Sequence, residues 1–156
     1  EHLPMNSDDR VSVTVSGVYV AQTKGGPSPV VVLADHEGRM LPIFIGPGEA
    51  ASIEMAILKN KPPRPGTHDL IMSILRELSM TLESVAIVNV VNGIYIGRLL
   101  IQPGGTAAAI VARPSDRIAL AVRAGCPIYV NGNVMNQFSI AKDSLPECAD
   151  ETLIGS

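Results

Sequence analysis

Tryptophan is absent from this 156-residue chain, and the only aromatics are two Phe and three Tyr. The core must therefore be aliphatic, and a platform of stacked aromatics for gripping single-stranded nucleic acid is not expected. Cysteine is almost absent as well. Cys126 and Cys148 cannot by themselves make a disulfide framework or a zinc site. Cys126, next to Gly125 in an apolar context, reads as a small buried thiol, and Cys148 as exposed in a polar tail. Charge is sparse at 17%, with 12 Lys and Arg against 15 Asp and Glu and a formal net charge of -3. General polyanion binding is thereby excluded, because its affinity comes largely from Lys and Arg neutralising phosphates. Any nucleic-acid contact has to be local. Uninterrupted apolar runs are missing too: Asn89, Asn92, Gly93 and Arg98 break the stretch from Val85 to Ile101, which rules it out as a membrane span. Glu1–Arg10 lacks the apolar segment of a signal peptide, so the expected address is the cytoplasm.

What is present is aliphatic. Hydrophobic residues make up 46% and the mean hydropathy is +0.27, high for a small monomer and suggestive of a subunit interface. A chain of this length forms one domain, burying roughly 68–70% of its unfolded surface. We assign that domain to 11–140, an N-terminal extension to 1–10 and a loose tail to 141–156.

Val11–Val20 alternates apolar and small polar residues, the pattern of a strand with one wet face. Lys24–Pro29 reads as a turn cluster. Val30–Leu33 and Met40–Ile45 flank Asp35–Gly38 as a hairpin. Pro47 suits the first position of a helix whose apolar residues are Ala50, Ile53, Ile57 and Leu58. After an extended linker, Thr67 is read as the N-cap of a second helix with Leu70, Ile71, Ile74, Leu75 and Leu78 as its apolar face. Asn92-Gly93 is a strong hairpin signal between Val85–Val91 and Ile94–Ile101. Because Val85–Val91 is apolar almost throughout, both faces of that hairpin should be covered, one by helices and the other by more sheet or a second subunit. Ala107–Ala112 reads as a short strand, and Pro114–Ala124 as a third helix stopped by Gly125. Ile128–Val130 is another short strand and Val134–Phe138 a last helical turn. The fold class is α+β, a single domain with a mixed, largely antiparallel sheet and about three main helices.

Three helix starts carry polar residues that a core does not need: Gly46-Pro-Gly-Glu49, Arg64-Pro-Gly-Thr-His-Asp69 and Arg113-Pro-Ser-Asp116. Glu49, Asp69 and Asp116 all fall in a first turn, where an acid stabilises by roughly 0.3–1 kcal/mol, so capping alone would account for each. The cations fit that account less well. Arg113 precedes a helix start, where the dipole repels it and calls for a compensating anion, either Asp116 or Glu49 or a bound phosphate. His68 lies in the same kind of field, which favours a neutral ring able to accept a proton or bind a metal. If the three starts converge, they offer carboxylates for Mg²⁺ or Mn²⁺ and guanidinium groups for a phosphoryl transition state. Ser115 has no nucleophile-elbow pattern and reads as a helix-start hydroxyl.

The three motifs, with Val15–Tyr19 before them and Ala124–Val130 after them, resemble the bifunctional nuclease family, in the same order and from about Val11 to Phe138. The resemblance implies a compact α+β homodimer with a groove as active site, cleaving the phosphodiester bonds of RNA and DNA. The residues it implies are Glu49, Arg64, His68, Asp69, Arg113, Ser115 and Asp116. Glu49 and Asp116, supported by Asp69, would hold Mg²⁺ or Mn²⁺. His68 would act as general base or orient the attacking water. Arg64 and Arg113 would bind phosphate, with Ser115 beside them. No organic cofactor and no membrane partner are expected. Where the family usually has an Asp just before Ala112, this chain has Val111, one carboxylate fewer for a metal. The alternative is a non-catalytic anion- or nucleotide-binding or dimerisation module whose polar helix starts form an internal ion-pair network.

Overall fold

The computed structural model describes residues 9–102, 108–142 and 148–149. Its elements are β1 Arg10–Thr23, β2 Gly26–Ala34, β3 Arg39–Phe44, α1 Pro47–Ile57, α2 Thr67–Glu77, β4 Thr81–Val91, β5 Ile94–Gln102, β6 Ala108–Val111, α3 Pro114–Ala124, β7 Ile128–Asn131, α4 Gly132–Phe138, β8 Ile140–Ala141 and β9 Cys148–Ala149. The strands form one sheet in the order β6-β5-β4-β7-β1-β2-β3-β8, with β9 also on β1. Every pairing is antiparallel except β4 with β7. The fold is α+β, as the mixture of hairpins and helices implied.

β1 joins the two halves of the sheet. Arg10–Val13 pairs with β7, and from Thr14 onward the strand pairs with β2, with a bulge between Val15 and Gly17. The β2–β3 turn is closed by Asp35, whose Oδ1 accepts from the backbone N–H of Glu37 and Arg39, the local bond that makes Asp a turn former. The β4–β5 turn is Asn92-Gly93, both at positive φ, as a two-residue turn matched to strand twist requires. A core of Val31, Leu33, Leu41, Ile43, Ile53, Val85, Ile87, Ile118, Leu120 and Val130 lies between the sheet and the helices. No helix among the described residues is long and apolar enough to cross a membrane.

Local differences from the sequence reading have simple causes. The turn after β1 is confined to Lys24-Gly25, and Pro27 and Pro29 lie inside β2. The N-cap of α2 is Gly66 rather than Thr67. Ile57 is partly exposed and Leu58 half exposed, while Glu54 takes the buried place on α1. α2 lies against α3 at the edge of the helical layer, so Ile71 and Leu75 pack inward while Leu70, Ile74 and Leu78 face outward. Among the described residues no further layer covers the outer face of the β4–β5 hairpin, which leaves Val91, Ile94 and Ile96 open. Cys126 is half-buried, and burial pushes its thiol pKa up. The Cys148 side chain lies outside the described residues, as does Ala107. In the segment read as a tail, Ala141 belongs to β8 and Cys148–Ala149 to β9.

Candidate active site

α1 and α3 begin alike. Each has an extended N-cap residue, Gly46 or Arg113, followed by Pro at the first helical position, where the ring fits and its missing N–H costs nothing. α2 begins after Gly66. Counting from each cap, Glu49, Asp69 and Asp116 occupy the same third helical position, where a carboxylate meets the positive end of the helix dipole. Only Asp69 caps in the strict sense: its Oδ2 accepts from the Gly66 backbone N–H at 2.9 Å. Glu49 instead lies directly over Gly46, where a Cβ would run into its carboxylate.

The three starts converge on one open pocket of about 570 Å³. Glu49, Arg64, His68, Asp69, Arg113 and Asp116 all line it, as do Ser52 and Arg123, with Ala51, Met55 and Pro62 as an apolar wall. Arg113 bridges two helices: its Nε donates to Asp116 Oδ2 at 3.1 Å and its Nη1 to Glu49 Oε1 at 3.3 Å. Of the compensating anions that the helix dipole argument allowed, these are the two carboxylates of the chain itself. Its side chain is 66% exposed, so solvent and ligand reach it. The bond to Asp116 is the main cause that raises the Arg113 pKa above its usual value.

His68 is buried, with Nε2 2.9 Å from Asp116 Oδ1 and Nδ1 2.6 Å from Ser52 Oγ. Burial pushes the Asp116 pKa up, but the hydrogen bonds from His68 and Arg113 outweigh it and hold the carboxyl below its usual value. On the other side of the pocket, Arg123 Nε donates to Asp69 Oδ1 at 2.7 Å. That bond is the main cause of the lowered Asp69 pKa. Arg64 is exposed and makes no ion pair or hydrogen bond with the described residues.

Ser115 does not join this group. It is buried and shares a helix face with Ile118 and Ala119, three and four residues on, which turns it toward the core. Val111 is 83% exposed at the end of β6 and outside the pocket lining. Ser52 and Arg123 were not singled out from the sequence, although spacing carried a signal for both. Ser52 is one turn beyond Glu49 on α1, and Arg123 is two turns beyond Asp116 on α3.

Among the described residues, no cluster of three or more His, Cys, Asp and Glu stands close enough to cage a metal ion. Glu49 and Asp116, each paired with the exposed Arg113 guanidinium, are the carboxylates that could hold such an ion more loosely. Mg²⁺ commonly takes one or two carboxylates, keeps several waters and is completed by substrate phosphate.

Against known proteins, a family model described as the bifunctional nuclease domain matches residues 31–143. Two uncharacterized proteins of Mycobacterium tuberculosis are each 38% identical over 140 residues, covering 89% of this chain and 80% of theirs. Bifunctional nuclease 1 of Arabidopsis thaliana is 27% identical over 138 residues, which is 82% of this chain and 42% of that protein.

Proposed function

Because the chain belongs to the bifunctional nuclease domain family, and its function is thus nuclease-related, we propose that it hydrolyses phosphodiester bonds of RNA and DNA in the pocket where α1, α2 and α3 begin. One observation carries the reading: three helix starts bring Glu49, His68, Asp69, Arg113 and Asp116 into a single solvent-open pocket. Water attacks phosphorus, the bond to one sugar oxygen breaks, the water gives up a proton and the departing oxygen gains one. Arg113 and Arg64 hold the non-bridging oxygens, whose charge grows in the transition state. Glu49 and Asp116 are the residues to hold Mg²⁺ or Mn²⁺. Such an ion, when bound, offsets phosphate charge and lowers the pKa of its water. Asp69 supports the site through Arg123, and His68, with both ring nitrogens engaged, orients Asp116. Ser115, buried outside the pocket, is left out of phosphate binding.

The protein is proposed to act in the cytoplasm as a homodimer, joined through the outer face of β4, β5 and β6, where Val91, Ile94, Ile96 and Val111 are exposed together. The test is cleavage of single-stranded RNA and DNA with Mg²⁺, with Mn²⁺ and with EDTA, alongside Glu49→Ala and Asp116→Ala purified in parallel. Turnover is expected to fall by about 100-fold or more in either variant. Cleavage that is equal in all three proteins would belong to a contaminant and would end this reading.

A second reading has its own support. Arg113 and Arg123 are both satisfied by carboxylates of the chain itself, as expected of an anion-binding or dimerisation module built on an internal ion-pair network. It predicts a rise in Tm with phosphate or a mononucleotide and no turnover.

A further inference from the structure

We propose that Arg123 and Ser52 form a clamp that fixes the His68 ring with its Nε2–H directed at Asp116, which makes them positioning residues of the pocket. The part of this that concerns turnover rests on the nuclease reading; the ring assignment does not.

The argument follows from which atoms can donate. An ionised carboxylate only accepts and a guanidinium only donates. Asp116 Oδ1 lies 2.9 Å from His68 Nε2, so that nitrogen carries the hydrogen. In the proposed tautomer Nδ1 is the acceptor, and the group beside it, at 2.6 Å, is Ser52 Oγ. Arg123 Nη2 donates to this same oxygen at 3.1 Å. Ser52 Oγ keeps its one proton for Nδ1 in this arrangement. A ring flipped about its axis would lose both bonds.

The clamp is itself held from three helices. Arg123 Nε donates to Asp69 Oδ1 at the start of α2, Nη1 to the Ala119 carbonyl of α3 at 3.0 Å, and Nη2 to the Ser52 carbonyl of α1 at 3.2 Å. Only 12% of its side chain is exposed. An unbroken path therefore runs from the Gly66 N–H through Asp69, Arg123, Ser52, His68 and Asp116 to Arg113 and Glu49. His68 is left with no free lone pair for a proton from water. It holds Asp116 Oδ1, while Arg113 donates to Oδ2 at 3.1 Å and to Oδ1 at 3.5 Å.

The test is long-range ¹H–¹⁵N spectroscopy of the imidazole in the intact protein, with the His68 signals assigned by their loss in His68→Gln. The expected pattern is a protonated Nε2 and an unprotonated, hydrogen-bonded Nδ1, with Nδ1 moving toward the free-acceptor position in Ser52→Ala. In cleavage assays Ser52→Ala is expected to lower kcat about tenfold with KM within about twofold. Ser52→Thr, which keeps the hydroxyl, restores most of the rate, and Arg123→Lys, which keeps one donor, restores part of what Arg123→Met loses. A proton on Nδ1 in the native protein, or ring signals unmoved in Ser52→Ala, would overturn the clamp even if the protein cleaves RNA. An unchanged kcat in Ser52→Ala would overturn the positioning role. Absence of all cleavage with the expected ring pattern would support the clamp and count against the nuclease reading instead.

Discussion

Replacing Arg123 by Met keeps most of the aliphatic stem and removes four hydrogen bonds. The charge-assisted bond to Asp69 is the largest. Such bonds contribute about 1.5–3 kcal/mol, and we take about 2 because Asp69 keeps a third of its side chain in water. The carbonyls of Ser52 and Ala119 are inside helices and retain their helical partners, so together with Ser52 Oγ they add about 1 kcal/mol. A total near 3 kcal/mol corresponds to a Tm lower by roughly 6–12 °C in a chain of this size.

The size of the effect should depend on pH. Folding lowers the Asp69 pKa from its ordinary 3.8, with the Arg123 hydrogen bond as the first cause. A depressed carboxyl adds stability that is complete above the unfolded value and is lost as pH falls through the folded one. In Arg123→Met that contribution is already largely gone. Scanning calorimetry of both proteins, stepped down from pH 7, should therefore show the gap in Tm begin to narrow below about pH 4 and approach roughly 2–4 °C only once the pH is below the folded-state pKa of Asp69. Asp35, also lowered and remote from Arg123, affects both proteins and cancels in the difference. A gap that is constant with pH, or under 2 °C at pH 7, would refute the assignment of Arg123 as an anchor held through Asp69.

Gly97→Ala should be among the most destabilising single changes. A Cβ there collides with the Ala86 carbonyl across the β4–β5 ladder and comes within 2.9 Å of Arg117 Cζ; we expect a loss of roughly 2–3 kcal/mol by urea unfolding. Arg113→Ala should lower kcat about 100-fold and leave Tm close to the native value, since its guanidinium stands largely in solvent, and a marked loss of Tm without a kinetic effect would favour the ion-pair network reading. Arg64→Ala should lower kcat/KM by about tenfold or more, with part of the loss in kcat. If the proposed homodimer forms through the outer face of β4–β6, Ile94→Glu should reduce the mass in light scattering to that of a monomer, and a dimer mass retained in the variant would place the interface elsewhere.

Helix starts were the most legible part of this sequence because their chemistry is local. Pro47, Pro114 and Gly125 set backbone angles within a few residues, and acids at the third helical position answer a field generated by the same turn. Asn92-Gly93 was legible for the same reason. Convergence of the three starts was not, since it depends on how α1 and α2 pack on α3, and no local pattern records that. Arg117 shows the limit well. It was not singled out from the sequence, and it is 1% exposed, with its guanidinium over Gly97 and donating to the carbonyls of Ala112 and Tyr95. Burial pushes its pKa down to about 10. α2 erred in the opposite direction. Leu70, Ile74 and Leu78 fall on one stripe at helical spacing, the pattern of a core face, and the stripe is exposed because the neighbouring layer ends at α3.

The pocket's own charges constrain how a phosphodiester can enter it. Three carboxylates, Glu49, Asp69 and Asp116, face three guanidinium groups, Arg64, Arg113 and Arg123, so the site is formally neutral on a chain of net charge -3. Such a surface does not draw polyanions in over a distance. Arg123 is committed to Asp69 and Ser52, which leaves Arg64 and Arg113 for phosphate. Arg113 can turn fully to a phosphate only when Glu49 and Asp116 gain another partner, so phosphate affinity should rise when a divalent cation is added. In Glu49→Gln with Asp116→Asn the rise should disappear, because Arg113 is already released. With only two phosphate contacts, affinity for single-stranded RNA should also fall gently with salt, with a log–log slope near -1.4 at about 0.7 per contact. Titration of a labelled, non-cleavable oligonucleotide across ionic strength, with and without Mg²⁺, measures both. A slope several times steeper would mean that cations far from this pocket carry the binding, and the three helix starts would lose their claim to be where nucleic acid is held.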